Sequence, residues 1–315
     1  MTNKERYIEW VGQQEFVPIS MNPWWLDAVC AGKEWDVLLA EDAQGNISGA
    51  MPYLLRRKAW YKYIVMPPLS QTGGVWVTAD ITADRWKTAE VCRQIKEQLD
   101  NLHLAYYYQN YLPGSLCVDA MCAMGFKARE HQTLRIDDLS NLDTLIASFS
   151  KSVRRQLQKA LSLHAEHTMD PEDFYRFHTR CMAVRGRKPS YSREFLLVIE
   201  RKAHRLKQCE ILSICNADGQ VYAAAFLIWD KSYMYFLIPV LDPAFKESGA
   251  SALLALEAMK LAREKKVHFD FEGLADKRLT KVYQQFHPTP VKYFSVERSY
   301  QPIRAFFIRC AQHFT

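Results

Sequence analysis

The sequence predicts a mixed α/β (α+β) protein built from two successive copies of one unit, and three observations carry that reading. The segment Asp36–Leu54 is echoed without a gap by Glu210–Ile228 at a constant offset of 174 positions. Both read as a hydrophobic strand, a polar turn closed by Gly45 or Gly219, and a second hydrophobic strand, the pattern of a β-hairpin whose turn glycine takes positive φ. The elements expected after each hairpin also follow in the same order: strand, Pro/Gly-containing loop, long helix, strand, shorter helix, strand.

Along the chain, Asn22-Pro23-Trp24-Trp25-Leu26 opens a helix, with Asn22 as cap and Pro23 at the first helical position. After the first hairpin come a strand over Lys62–Met66, a loop over Pro67–Gly74, a helix over Asp84–Leu102, a strand over Leu104–Gln109, a short helix and a strand over Thr133–Ile136. A basic helical stretch, Leu142–Leu206, leads into the second unit. Its hairpin is followed by a strand Ser232–Ile238, a loop Pro239–Ser248, a helix Gly249–Lys265, a strand Val267–Phe271, a helix Asp276–Phe286 and a strand Val291–Val296. Leu254, Ala258 and Leu261 form the core face of the long helix. Val221–Trp229 is apolar throughout, as a strand covered on both faces should be. The expected divisions are 1–138, 139–298 and a terminal helix within 299–315, beyond Pro302, that packs back on the units.

Bulk properties narrow the function classes. At 315 residues, 49% hydrophobic, the chain has enough apolar mass for two cores and is no disordered polypeptide. A net charge of +6 suits an anionic ligand and falls short of a dedicated nucleic-acid binder. The start of the chain has no signal-like pattern and no apolar run is long enough to span a bilayer, so a cytoplasmic protein without integral membrane contact is expected. The eight cysteines include no CxxC, and His164 and His167 have no third ligand at suitable spacing; no metal is expected. The oligomeric state cannot be read from the sequence.

The sharpest chemical signal is Val267-His268-Phe269-Asp270-Phe271-Glu272-Gly273. Strand alternation puts His268, Asp270 and Glu272 on one face, where the carboxylates either meet a cation at the strand end or face a solvated cleft. Upstream, Lys246-Glu247-Ser248-Gly249-Ala250-Ser251 sits at the start of a helix after a strand and loop. First-turn N–H groups attract phosphate, and plain capping explains the same residues. Arg154 and Arg155 on one helix, Arg185 and Arg187 around Gly186, and Lys292 are candidates for gripping an anionic substrate or are simply solvated charges. Nucleophile signatures such as GxSxG are absent, which favours direct attack.

On these features the chain resembles the tandem GNAT-type acyltransferases of the acyl-CoA N-acyltransferase superfamily, including the Fem-type enzymes that add amino acids to peptidoglycan precursors. Lys246–Ser251 is similar to that family's Gln/Arg-x-x-Gly-x-Gly/Ala pyrophosphate loop, with Lys246 for the usual Gln or Arg and Ser251 for the last small residue. Trp24-Trp25-Leu26, Met66-Pro67-Pro68-Leu69, the basic helix Lys151–Lys159, Asp270–Gly273 and Tyr283-Gln284-Gln285-Phe286 add to the resemblance, which runs from about Trp24 to Val296. It implies two GNAT-like domains, the second holding the donor and the substrate lying in the groove between them. It further implies transfer of an acyl group, acetyl first, from acyl-CoA to an amine, with Lys246, Ser248, Gly249, Ala250 and Ser251 at the cofactor. Glu272 is then the base with Asp270 beside it, and Tyr283 a proton donor or a core aromatic. The acceptor implied is a small molecule or a cell-envelope precursor. Two alternatives stay open: a Fem-like aminoacyl-tRNA-dependent aminoacyltransferase, which the absence of a long inserted helical hairpin disfavours, and a binding module without catalysis.

Overall fold

The computed structural model describes residues 1–30, 35–272, 277–302 and 305, and the chain divides into two compact units. The first comprises Met1–His131 with the segment from Lys292 on; the second is the continuous segment Gln132–Val291.

The first unit opens with α1 (Asn3–Gly12), whose Thr2 and Glu5 form a reciprocal capping box, and α2 (Pro23–Val29), capped by Asn22. Strands β1 (Trp35–Glu41), β2 (Ile47–Lys58) and β3 (Tyr61–Val65) follow, with the short β4 (Trp76–Val77) against β2. Helix α3 (Arg85–Asn101), β5 (Leu104–Tyr111), α4 (Cys117–Ala123) and β6 (Lys127–Ile136) complete the first pass. β3 and β5 are parallel, whereas β1 with β2 and β2 with β3 are antiparallel. The core includes Leu38, Met51, Ile64, Val91, Ile95, Leu99, Tyr107 and Val296.

The second unit contains α5 (Leu142–Ser148), α6 (Lys151–Lys159), β7 (His164–Glu166), α7 (Pro171–Ala183), α8 (Arg193–Arg205), β8 (Cys209–Cys215), β9 (Val221–Trp229), β10 (Tyr233–Leu241), α9 (Ala250–Glu264), β11 (His268–Asp270) and α10 (Lys277–Tyr283). Its sheet runs β6-β11-β10-β9-β8-β7, with β10 and β11 parallel and the other pairs antiparallel. β9 lies between β8 and β10 and is buried from Ala223 onward, as its apolar sequence requires. Leu254, Ala258 and Leu261 of α9 join Phe236, Phe269 and Phe271 in the core.

The repeat holds at the level of single hydrogen bonds. Leu38 pairs with Met51 in the first hairpin, and Leu212 with Ala225 in the second, each shifted by the same 174 positions. Both hairpins carry their irregularity at the same place, Ala40/Glu41 and Ile214/Cys215. In the turns the Asp42 carboxylate accepts from the N–H groups of Gln44 and Asn46, and the Asn216 side chain accepts from those of Asp218 and Gln220. Gly45 at φ 83° and Gly219 at φ 76° close them.

One expectation is corrected. The strand over Val291–Val296, read as the end of the second unit, is the core of β12 (Thr289–Ser299), and from Phe294 it pairs with β5 in the first. Conversely, Arg135 and Ile136 of β6, read as closing the first unit, pair with Asp270 and Phe269 of β11 in the second. Each copy's final strand completes the other copy's sheet. Element order along the chain is blind to this, because either partner edge accepts the same alternating strand. Of the expected terminal helix, Pro302 and the buried Ala305, whose N–H donates to Gln301 O (2.9 Å), are helical; its other residues, with Gly273 and Asp276, lie outside the described residues.

Candidate active site

Strand β10 carries the feature that shapes the second unit's site. It pairs with β11 only through Tyr233↔His268, Met234↔Phe269 and Tyr235↔Asp270. β11 then stops, while β10 continues to Leu241, so from Phe236 onward that edge has no strand partner among the described residues. A bulge between Tyr235 and Ile238, seen in the pairing with β9, bends the strand where the two part. Leu237, Pro239 and Leu241 on this stretch are half-buried. The bulge was not legible in the sequence, which reads as a strand over Ser232–Ile238 and a loop from Pro239; β10 instead runs on to Leu241.

At the far end of β10 the chain turns through Asp242 and a 3₁₀ turn, Pro243–Phe245, into α9. Tyr222 stacks on Phe245 with ring centroids 3.7 Å apart. Ser248 Oγ donates to the Phe245 carbonyl (2.7 Å) and accepts from the Ala250 N–H (3.2 Å). Gly249 is the N-cap at φ 85°. Lys246 is exposed, Ser251 half-buried and Ala250 fully buried. A Cβ at Gly249 would lie 2.0 Å from the Gln156 carbonyl oxygen of α6, so the glycine admits the protein's own backbone.

That contact brings α6 across the start of α9. Ser150 caps α6, and its N–H donates to Gln285 O (2.9 Å). Val153 is the buried residue of α6, leaving Arg154, Arg155 and Lys159 exposed. Lys159 Nζ reaches the Glu247 carbonyl (3.4 Å). From the other side, Arg185 donates to the Leu241 carbonyl (3.2 Å) and Arg180, which the sequence reading did not single out, to the Asp242 carboxylate (3.0 Å). The structure therefore gathers Lys159, Arg180 and Arg185 around the 241–249 turn. Arg187 is exposed beyond Gly186, and Arg154 turns away to the Ala147 carbonyl (2.5 Å). Lys292 is not in this group; it belongs to the first unit, paired with Glu130 (3.0 Å).

The two carboxylates at the end of β11 have separate environments. Asp270 is fully buried, accepting from Arg135 Nε (2.8 Å), the Thr133 hydroxyl and the Glu272 N–H (2.8 Å). Burial pushes its carboxyl up, against the pull of Arg135. The strand-end ion pair weighed in the sequence is what forms. Glu272 lies beyond β11 at φ 67°, half-buried, so simple strand alternation no longer places it beside Asp270. Tyr283 is 5% exposed and stacks on Phe271 at 4.5 Å, its phenol pushed up by burial, so it is part of the core. His164 meets Glu166 (3.2 Å) and His167 meets Glu210.

Residues 147–279 match the acetyltransferase (GNAT) domain family. The whole chain is similar in structure to FemX, with a TM-score of 0.71 at 14% identity over 93% of this chain and 96% of that one. The chain has a Fem-like GNAT fold. A tandem GNAT protein from the clavulanic acid biosynthesis pathway shares it at a TM-score of 0.57 and 11% identity, over 94% and 93% of the two chains. The C-terminal domain of a putative lysylphosphatidylglycerol synthetase from Agrobacterium fabrum gives 0.59 at 13% identity, over 98% and 96%. No curated protein matches the sequence. The family match lies within the second unit, where β10 and β11 part. Among the described residues no helix is long and apolar enough to cross a membrane.

Proposed function

We propose that the protein is an N-acyltransferase that moves an acyl group, acetyl in the first instance, from acyl-coenzyme A to an amine by direct attack, with the donor held by the second unit. The observation that carries this reading is the parting of β10 from β11 above a helix start flanked by cations. Backbone amide and carbonyl groups on the unpaired β10 edge suit an extended amide chain such as pantetheine. The start of α9 with Lys159, Lys246 and Arg185 suits its diphosphate. The first unit makes a contrasting case. Its corresponding helix, α3, is capped by Asp84, whose carboxylate takes the Trp86 and Lys87 N–H groups and would repel phosphate. α9 has no acidic cap: Gly249 offers no side chain, and the neighbouring Ser248 hydroxyl, which is neutral, accepts from the Ala250 N–H.

Glu272 is the proposed base, drawing the proton from the attacking amine directly or through a water as the carbonyl carbon becomes tetrahedral. Its left-handed backbone is held by the Asp270 carboxylate through the 2.8 Å bond, which makes Asp270 a positioning residue. Tyr283 and Lys292 have no part in this reading. A Fem-like reaction, in which the activated carbonyl belongs to an aminoacyl-tRNA and the acceptor to the cell envelope, is the second reading; the structural similarity to FemX favours it. Both donors are polyanions carrying an activated carbonyl, and the exposed basic face of α6 suits either.

A transfer assay with acetyl-coenzyme A and a panel of amines, read by mass spectrometry, tests the assignment. Glu272→Gln should lower kcat by about a hundredfold or more while donor binding persists. Unchanged turnover in that variant would remove Glu272 from the chemistry.

A further inference from the structure

Away from this site, the last two turns of α8 and the first residue of β8 place three metal-binding side chains together. A ligand atom from each of Glu200, His204 and Cys209 lies within 4.8 Å of the other two, and His204 Nδ1 is 3.6 Å from Glu200 Oε1. We propose that they form a binding site for a borderline-soft divalent cation of the zinc class. The sequence reading found no metal pattern because Glu-x₃-His-x₄-Cys matches no familiar spacing; the turn between the elements makes the cluster.

The local fold explains how. Glu200 and His204 are four apart, so they share a helical face. Leu196, Ile199 and Ala203 bury the adjoining face of α8. Lys207 at φ 56° reverses the chain, with Gln208 N–H bonded to Ala203 O (2.9 Å), and delivers Cys209 back to the turn it has just left. Cys209 is then fixed by pairing with Ile228, and its Sγ lies 3.7 Å from the Glu200 carbonyl. The ligands thus sit on a helix and a strand, which holds them in place better than a loop.

The chemistry selects the ion. Tetrahedral bonds of about 2.0 to 2.3 Å put ligand atoms roughly 3.3 to 3.8 Å apart, so the Glu–His separation already fits and small side-chain rotations bring in the sulfur. A carboxylate, an imidazole and a thiolate suit zinc or cobalt and disfavour magnesium and calcium, which take oxygen. Glu200 and the Cys209 thiolate together neutralise a dication despite Arg201 and Arg205 on the same helix. The Cys209 thiol proton is displaced to solvent on binding, and the fourth position is left to water. The ion would tie α8 to the sheet, independently of acyl transfer.

Cobalt(II) added to the full chain should give a thiolate-to-metal charge-transfer absorption in the near ultraviolet. Cys209→Ser should abolish it and Cys181→Ser should not. Because Cys209 is buried, His204→Ala and Glu200→Gln, which change the solvent side, provide the second arm. Each should weaken zinc at least tenfold in competition with a chromophoric chelator and remove the zinc-dependent rise in Tm. No charge-transfer absorption with wild-type protein, or zinc affinity unchanged in both solvent-side variants, would overturn the proposal.

Discussion

At Gly249 the torsion and the packing each demand glycine. Its φ of 85° disfavours any L side chain, and the Gln156 carbonyl occupies the space of a Cβ. Gly249→Ala should therefore lower the unfolding free energy by at least about 2 kcal/mol in a denaturant titration, more than the left-handed torsion alone costs. His178 offers a pH-dependent test. Its Nδ1 is 2.6 Å from the Tyr191 hydroxyl, and burial, helped by Arg185, pushes its pKa down to about 4. A histidine whose folded value is depressed contributes stability above its unfolded value, near 6.5, and loses it as pH falls through 4. Wild-type protein should lose about 2 kcal/mol more than His178→Gln between pH 7 and pH 4, allowing for partial exposure. Parallel pH profiles would contradict this.

Among the elements, α6 links packing to the proposed function. One buried side chain, Val153, and the backbone contact at Gly249 seat it over the start of α9, while its basic residues stay exposed. Replacing Arg155 and Lys159 together by Ala should raise KM for an anionic donor about tenfold, more at low salt than at high, and leave kcat and Tm nearly unchanged. An unaltered KM would return these charges to plain solvation. The two hairpins, the long helices and the Asn22 cap were legible in the sequence, because each depends on local periodicity and turn chemistry. The β10 bulge and the early end of β11 were not, because they arise where neighbouring strands part and leave no mark on hydrophobic alternation. At the site, Lys246–Ser251 fell at a helix start as read. The environment of Asp270 depended on Thr133 and Arg135, far off in sequence, and could be posed only as a choice between ion pair and cleft.

Across the whole molecule, two copies of one α/β unit have kept the same hairpin, down to its irregularity and its turn hydrogen bonds, and have diverged at the helix that follows. An acidic cap closes that helix in the first copy, and a glycine under a basic helix begins it in the second. On the proposed function, this divergence confines the donor to the second copy. Calorimetric titration of the full chain with acetyl-coenzyme A tests that claim most directly. One saturable site per chain is expected, weakened when Arg155 and Lys159 are replaced and unaffected by Asp84→Asn. Absence of binding, or binding that responds to Asp84 and ignores α6, would contradict it.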